Sequence, residues 1–247
     1  MQTDDVSLIT LDTDWAPDAA IDFTAQLLLA QRVRATWFIT HNSPAIERLK
    51  DYPDCFELGI HPNFMAGSTH GATPAAVLRH CLDLVPAPRC VRTHGLVQST
   101  ALLDLMFTTT PVVCDVSVLL PRAPHLQPVK WEWHGQPYWR VPYFWEDDVE
   151  MERAEPDWNL APLLAIPGMK VFDFHPIHVM LNSADMAPYE DLKRAVPRLT
   201  EATAADVAAR AHAGPGSRTV FAALVAHLAA GGESLTLAQV LDRHAGV

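Results

Sequence analysis

The chain has 247 residues, a length that suits one large α/β domain or two small ones. Hydrophobic residues make up 49%, enough for a sizeable core, and 29 Asp and Glu against 18 Lys and Arg leave a formal charge of -11. That balance argues against nucleic acid or another polyanion as a partner. The longest apolar run, Val220 to Ala230, is about half a membrane span and is interrupted by His227. Met-Gln-Thr-Asp-Asp at the start lacks the basic residues of a leader, which predicts a cytoplasmic protein. Cys55, Cys81, Cys90 and Cys114 form no CxxC pair and read as reduced thiols.

In chain order, an apolar run climbs from Val6 through Leu8-Ile9-Thr10-Leu11 and ends in Asp12-Thr13-Asp14. Read as a strand, it projects both carboxylates to one side at its carboxyl end, where they repel unless a cation stands between them. Pro17 opens a helix carrying Ile21, Phe23, Leu27 and Leu28 at helical spacing. Strands follow at Arg34–Thr40 and Phe56–His61, with a short helix at Asn42–Lys50 between them. Thr73 caps a helix through Leu84, and Cys90–His94 is a short strand ended by Gly95. Pro111–Leu120 and Tyr138–Tyr143 are the fifth and sixth strands, and Lys170–His175 the seventh. The remainder reads as helices over Tyr189–Ala211 and Arg218–Ala230, then a last one opened by the capping-box spacing Thr236-x-x-Gln239.

Strands alternating with helices, mostly without hairpin signals, indicate a parallel sheet with right-handed crossovers. Seven strands fit a distorted (β/α) barrel better than an open sheet. No repeat, linker or low-complexity tract divides the chain, so residues 1–247 are expected to form one domain with a helical carboxyl-terminal part.

Sites in parallel α/β folds gather at the carboxyl ends of the strands. Asp12 and Asp14 end the first strand, His61 the third, Arg92 and His94 the fourth, and His175 the seventh. His-Pro closes an apolar strand twice, at His61-Pro62 and His175-Pro176, which puts each histidine at the rim. Two neutral imidazoles and a carboxylate make a catalytic zinc-type site with an open position. A further carboxylate can take a proton from water, another histidine can protonate a leaving group, and an arginine can hold the base ionised. These are the parts of a metal-assisted amide hydrolase.

The same residues carry a family likeness. Thr10-Leu-Asp-Thr-Asp14 resembles the first motif of the polysaccharide deacetylases, the NodB or carbohydrate esterase family 4 group. Arg34-Ala-Thr-Trp-Phe-Ile39 resembles its next strand, Glu57-Leu-Gly-Ile-His61-Pro-Asn63 its second motif, Arg92-Thr-His-Gly95 its third and Phe174-His175-Pro-Ile-His178 its last. The likeness spans roughly residues 6 to 180 in the family's motif order. It implies a TIM-like barrel of fewer than eight strands and one divalent metal ion, Zn2+ foremost, with Co2+, Ni2+ and Mn2+ as alternatives. By that likeness Asp12 is the base, Asp14 and His61 are metal ligands, Arg92 partners Asp12, and His175 is the general acid. The substrate it implies is an N-acetylated sugar, nucleotide- or lipid-linked.

Three departures bear on these roles. Thr13 separates the two aspartates, where the usual pattern has them adjacent. Four residues after His61 stands Met65 rather than a second histidine, and the next imidazole is His70, in a Gly67-Ser-Thr-His-Gly71 loop that can fold back as the third ligand. Thr93 and His94 replace a proline and an aromatic residue, and His94 is read as a substrate contact, with a ligand role as the other reading. Gly59-Ile-His-Pro-Asn-Phe64 followed by that loop resembles a cytoplasmic branch associated with O-antigen and other surface-glycan biosynthesis. After the sixth strand, Trp145 is a candidate sugar platform and Asp147 a candidate contact to an amine or hydroxyl. A hydrolase of another linear or cyclic amide, and an inactive barrel kept as a glycan-binding or assembly protein, remain alternative readings.

Overall fold

The computed structural model describes residues 5–231 and 233–245. The ends of the expected 1–247 domain therefore lie outside the described residues. The first half runs β1 (Ser7–Asp12), α1 (Asp18–Ala30), β2 (Ala35–Ile39), α2 (Pro44–Leu49), β3 (Phe56–Ile60), α3 (Pro74–Leu84), β4 (Cys90–Val91), α4 (Thr100–Thr109) and β5 (Cys114–Asp115). The second half runs β6 (Val129–Trp133), β7 (Gln136–Arg140), β8 (Trp145–Glu146), α5 (Asp147–Met151), α6 (Leu160–Leu164), β9 (Lys170–Phe174), α7 (Pro176–Leu181), α8 (Ala187–Ala195), α9 (Ala204–Ala208), α10 (Ser217–Gly231) and α11 (Leu237–Ala245). Hydroxyl caps start several of the helices: Ser43, Thr73 and Ser99 each accept the backbone N–H three residues on.

The strands form one sheet in the order β6-β7-β5-β4-β3-β2-β1-β9-β8, parallel throughout except for the β6–β7 hairpin. Beyond β7 the chain stays extended. Val141 and Tyr143 donate to the carbonyls of Asp115 and Val118, and Phe144 then donates to Val171, beside β9. One continuous stretch, 136–146, thus pairs with β5 and then with β9, and the sheet curls round on itself.

Strand alternation divides the core into two layers. Ile9, Leu11, Trp37, Ile39, Phe172 and Phe174 face outward and pack under the helices against Ile21, Leu28 and Phe221. Leu8, Phe38, Cys90, Tyr143 and Val171 face inward and meet Leu237, Val240 and Leu241 of α11. This last helix closes the curled sheet at the amino ends of the strands, where its Leu237 and Ala238 amides donate to Thr36 and Glu57. Gly59 faces the same interior because a Cβ there would stand 2.8 Å from the Cys90 carbonyl and from the Phe38 ring. The inward register of β1, β3, β4 and β9 ends in Asp12, His61, Arg92 and the pair Asp173 and His175, so the chemistry collects at the open, carboxyl end.

Several expectations are corrected. The run Pro111–Leu120 forms ladder only at Cys114–Asp115, and the following stretch to Leu120 is tied by one isolated bridge, Leu119 to Tyr143. The hairpin strand β6, the short β8 and helices α4, α5, α6 and α7 have no counterpart in the sequence reading. The helix expected over 189–211 is two helices, α8 and α9, because Pro197 lacks an amide and turns Val196 out of helical backbone. Four cysteines are free, three of them buried, as the thiol reading requires.

Candidate active site

β1 ends at Asp12, and the strand geometry expected to aim Asp14 beside it stops there. Asp14 and Trp15 instead take left-handed backbone, φ 39° and 53°, at a cost of order 1–3 kcal/mol each. Thr13 holds the turn in place. Fully buried, it donates to the Phe38 carbonyl through both its amide and its hydroxyl, 3.1 Å each, and its hydroxyl meets that of Thr40 at 3.0 Å. The residue that splits the aspartates is therefore the one that turns Asp14 into the site.

Three donor atoms converge there. Asp14 Oδ1 lies 3.1 Å from His61 Nε2 and 3.2 Å from His94 Nδ1, and the two imidazole nitrogens are 3.3 Å apart. His94 reaches this point because its amide donates to the carbonyl of Pro62, directly after His61. Asp14 Oδ1 is sealed from solvent with no hydrogen-bond partner. Burial pushes the Asp14 carboxyl up, but the two histidines outweigh burial and hold it well below the usual range, while Asp14 raises His94. Three such donor atoms face to face could hold a cation between them. Ligands at about 2.0–2.1 Å on a tetrahedral ion stand roughly 3.3–3.4 Å apart, so the spacing and the carboxylate–imidazole chemistry fit Zn2+.

His70 is not in this group. Its Nδ1 accepts the Asn63 amide at 3.2 Å, and its ring stacks on His80 and touches Trp15 at 5.4 Å. Burial and His80 push it down to about 4, a neutral imidazole that pins its own loop. His94, rather than His70, is the imidazole that stands beside Asp14 and His61.

Arg92 is 1% exposed and spends its guanidinium inside the fold. Nη1 donates to Asp12 at 2.9 Å and to Asp173 at 2.5 Å, Nη2 to Thr10 at 2.9 Å, and the plane lies between the Phe38 and Tyr143 rings. Burial opposes its charge, yet Asp12 and Asp173 more than restore it. Asp12 is thus held in place facing the site, with its other oxygen 3.5 Å from His61. Asp173, raised well above the carboxylate range chiefly by burial, was missed in the sequence. An aspartate between two phenylalanines, two before His175 on one strand, was the signal.

His175 Nε2 faces Asp14 Oδ2 at 3.6 Å while its Nδ1 pairs with Asp147 at 2.8 Å. Asp147 also accepts the His175 amide and the Ser217 hydroxyl. Burial disfavours charge on this imidazole, but Asp148 and Asp147 prevail and raise it well above 6.5. Asp147 is consequently the orienting partner of His175, fully buried, and no substrate contact. Trp145 is 3% exposed, packed on Phe172 and Phe174 with its indole N–H on Glu150, which removes it as a sugar platform. His178 bonds Ser183 and is structural. A cleft of about 260 Å³ opens over the site, and Asp12, Asp14, His61, His94 and His175 all line it.

A family model described as WbmS-like polysaccharide deacetylase matches residues 9–193. A crystal structure from Bordetella bronchiseptica, described as a polysaccharide deacetylase involved in O-antigen biosynthesis (WbmS), is 36% identical, with 90% of each chain covered and a TM-score of 0.78. The 4-alpha-glucanotransferase of Thermococcus litoralis shares the fold alone, at 9% identity and TM-score 0.54, over 96% of this chain and 38% of that one. No curated protein matches the sequence.

Proposed function

The chain belongs to the WbmS-like polysaccharide deacetylase family, and from that premise we propose that it is a metal-dependent hydrolase removing an N-acetyl group from a sugar of a surface-glycan precursor. The observation that carries the reading is the convergence of Asp14, His61 and His94 within 3.1–3.3 Å, flanked in one cleft by Asp12 and His175. Those three residues would hold the ion, most simply Zn2+. When bound, such an ion lowers the pKa of a water and polarises a carbonyl.

This chain's residues supply the remaining chemistry. Asp12, held in orientation by Arg92, accepts a proton from the attacking water. His175, charged and fixed by Asp147, gives a proton to the departing amine nitrogen as the amide bond breaks. Acetate and the free amino sugar leave.

We read the curled sheet as a TIM-like barrel of seven parallel staves in one domain, with residues 136–146 as a single bent stave and the cleft at the carboxyl ends. No helix of the described residues is long and apolar enough to cross a membrane. We place the protein in the cytoplasm, acting on the precursor before export. The direct test is acetate release from N-acetylated sugars by the Zn2+-supplied protein, with Asp12→Asn alongside. Release that survives that substitution undiminished would reject the mechanism.

A further inference from the structure

Asp115, at the end of β5, is a fully buried acidic side chain that neither the ion nor the proton transfers use. Burying a carboxyl is unfavourable unless it is paired, so its partners show what it holds. Its Oδ1 accepts the Ser117 amide at 3.1 Å, an Asx turn that ends the β5 ladder. The Ser117 hydroxyl, fully buried as well, then accepts the Thr93 amide at 2.9 Å, one residue before His94. On its other side, Asp115 Oδ2 accepts both Nε and Nη2 of Arg140 on β7, at 2.8 Å each. The same guanidinium donates to Gln98 Oε1, and Gln98 Nε2 donates to the Ser117 carbonyl. One network therefore grips the segment 93–98 at both ends, with His94 inside it.

The backbone between those grips is strained. Gly95 and Leu96 both take left-handed conformations, φ 59° and 54°, and a leucine keeps such a conformation only where its surroundings over-determine it. His94 also needs outside support. Its side chain is 25% exposed against 2% for His61, so burial alone does not fix its ring. Pro62 holds its amide from the β3 side, and nothing in the ion site holds the turn from the β5 side. A buried ion pair adds little net stability, and its best-attested use is to select one conformation.

We propose that Asp115, Ser117 and Arg140 are positioning residues, a clamp that sets the His94 turn so that Nδ1 stands beside Asp14 and His61 before an ion arrives. The inference rests on the reading of His94 as a ligand, and it gives the β6–β7 hairpin a task, since β7 delivers Arg140 to the clamp. Groups that orient a metal ligand from behind are worth roughly 10–100-fold in metal affinity.

The experiment measures Zn2+ affinity by competition with a chromophoric chelator, and hydrogen exchange of residues 93–98 in chelator-treated protein. Asp115→Asn and Ser117→Ala should each weaken Zn2+ binding about tenfold or more and speed exchange in that segment, while Ser117→Thr, which keeps the hydroxyl, restores both. Arg140→Gln, at a part-exposed site, should act in the same direction and carries the test with Ser117→Ala if Asp115→Asn does not fold. Leu241→Ala, at the opposite end of the strands, is the control for lost stability and should change neither readout. Zinc affinity and exchange both unchanged in Ser117→Ala and Arg140→Gln, or an equal loss of affinity in Leu241→Ala, overturns the clamp. If wild-type protein takes no Zn2+ while exchange in 93–98 still responds to these substitutions and not to Leu241→Ala, the metal-hydrolase reading fails and the clamp on the turn stands.

Discussion

Asp14 is the residue on which the site depends, since it touches both imidazoles and reaches toward the third. Zinc content by mass spectrometry should therefore fall from about one ion per chain to near none in Asp14→Ala and in His94→Ala. His70→Ala should keep its ion, because that ring bonds Asn63 and stacks on His80 away from the donor atoms. Loss of zinc only in the His70 variant would reverse the assignment. Among the proton-transfer groups, Asp12→Asn keeps the shape and the acceptor for Arg92 but not the basicity, so kcat should drop about 10²–10⁴-fold with zinc retained. Strand-end logic made Asp12, His61, Arg92 and His175 legible, since register alone delivers them to one rim. It could not choose between His70 and His94. His94 depends on a hydrogen bond from its amide to Pro62 and on a tight turn with Gly95 at φ 59°, neither of which has a sequence period. Trp145 and Asp147 were misread for a related reason. The two-residue strand β8 turns Trp145 to the outer layer and delivers Asp147 to His175.

At the scale of elements, the long parallel strands were legible from apolar runs closed by Pro or Gly, and the last helix from its capping box. The box is present: the Thr236 amide donates to Gln239 Oε1 at 3.0 Å and the Gln239 amide to the Thr236 hydroxyl at 3.3 Å. Less legible were elements whose pattern is set by partners far along the chain. β6 is an edge strand with mixed exposure whose Trp131 meets Phe107 of α4 edge-on, and the two-residue strands are too short to show alternation. Helix α11 has a mechanical role that its position reveals. It plugs the amino end of the sheet through Leu237, Val240 and Leu241, so Leu241→Ala should cost about 2–5 kcal/mol and Thr236→Ala about 1 kcal/mol in urea unfolding. Both variants should bind zinc with wild-type stoichiometry while folded, because the site lies at the opposite end of the strands. Loss of zinc before loss of fold would mean the plug and the site are coupled.

The molecule as a whole carries a formal charge of -11 and converges three aspartates, a glutamate and three histidines on one opening. Such a site exists only in the folded chain. Binding that distinguishes folded from unfolded protein raises stability by RT ln(1 + [L]/Kd), about 2.7 kcal/mol at a hundredfold excess over Kd. For a domain of this size each kcal/mol moves Tm by roughly 2–4 °C, so Zn2+ should raise Tm by about 5–10 °C over chelator-treated protein near pH 7.5. The shift has a definite dependence on pH. His61 and His94 must be neutral to bind, and Asp14 raises His94 when no ion is present, so protons compete with the metal as pH falls. Scanning calorimetry with and without chelator should find the zinc increment large at pH 7.5 and nearly gone at pH 5. In Asp14→Ala it should be absent at both. An increment that is flat across this range, or that persists in Asp14→Ala, would place the ion elsewhere and remove the Asp14, His61 and His94 cluster as its binding site.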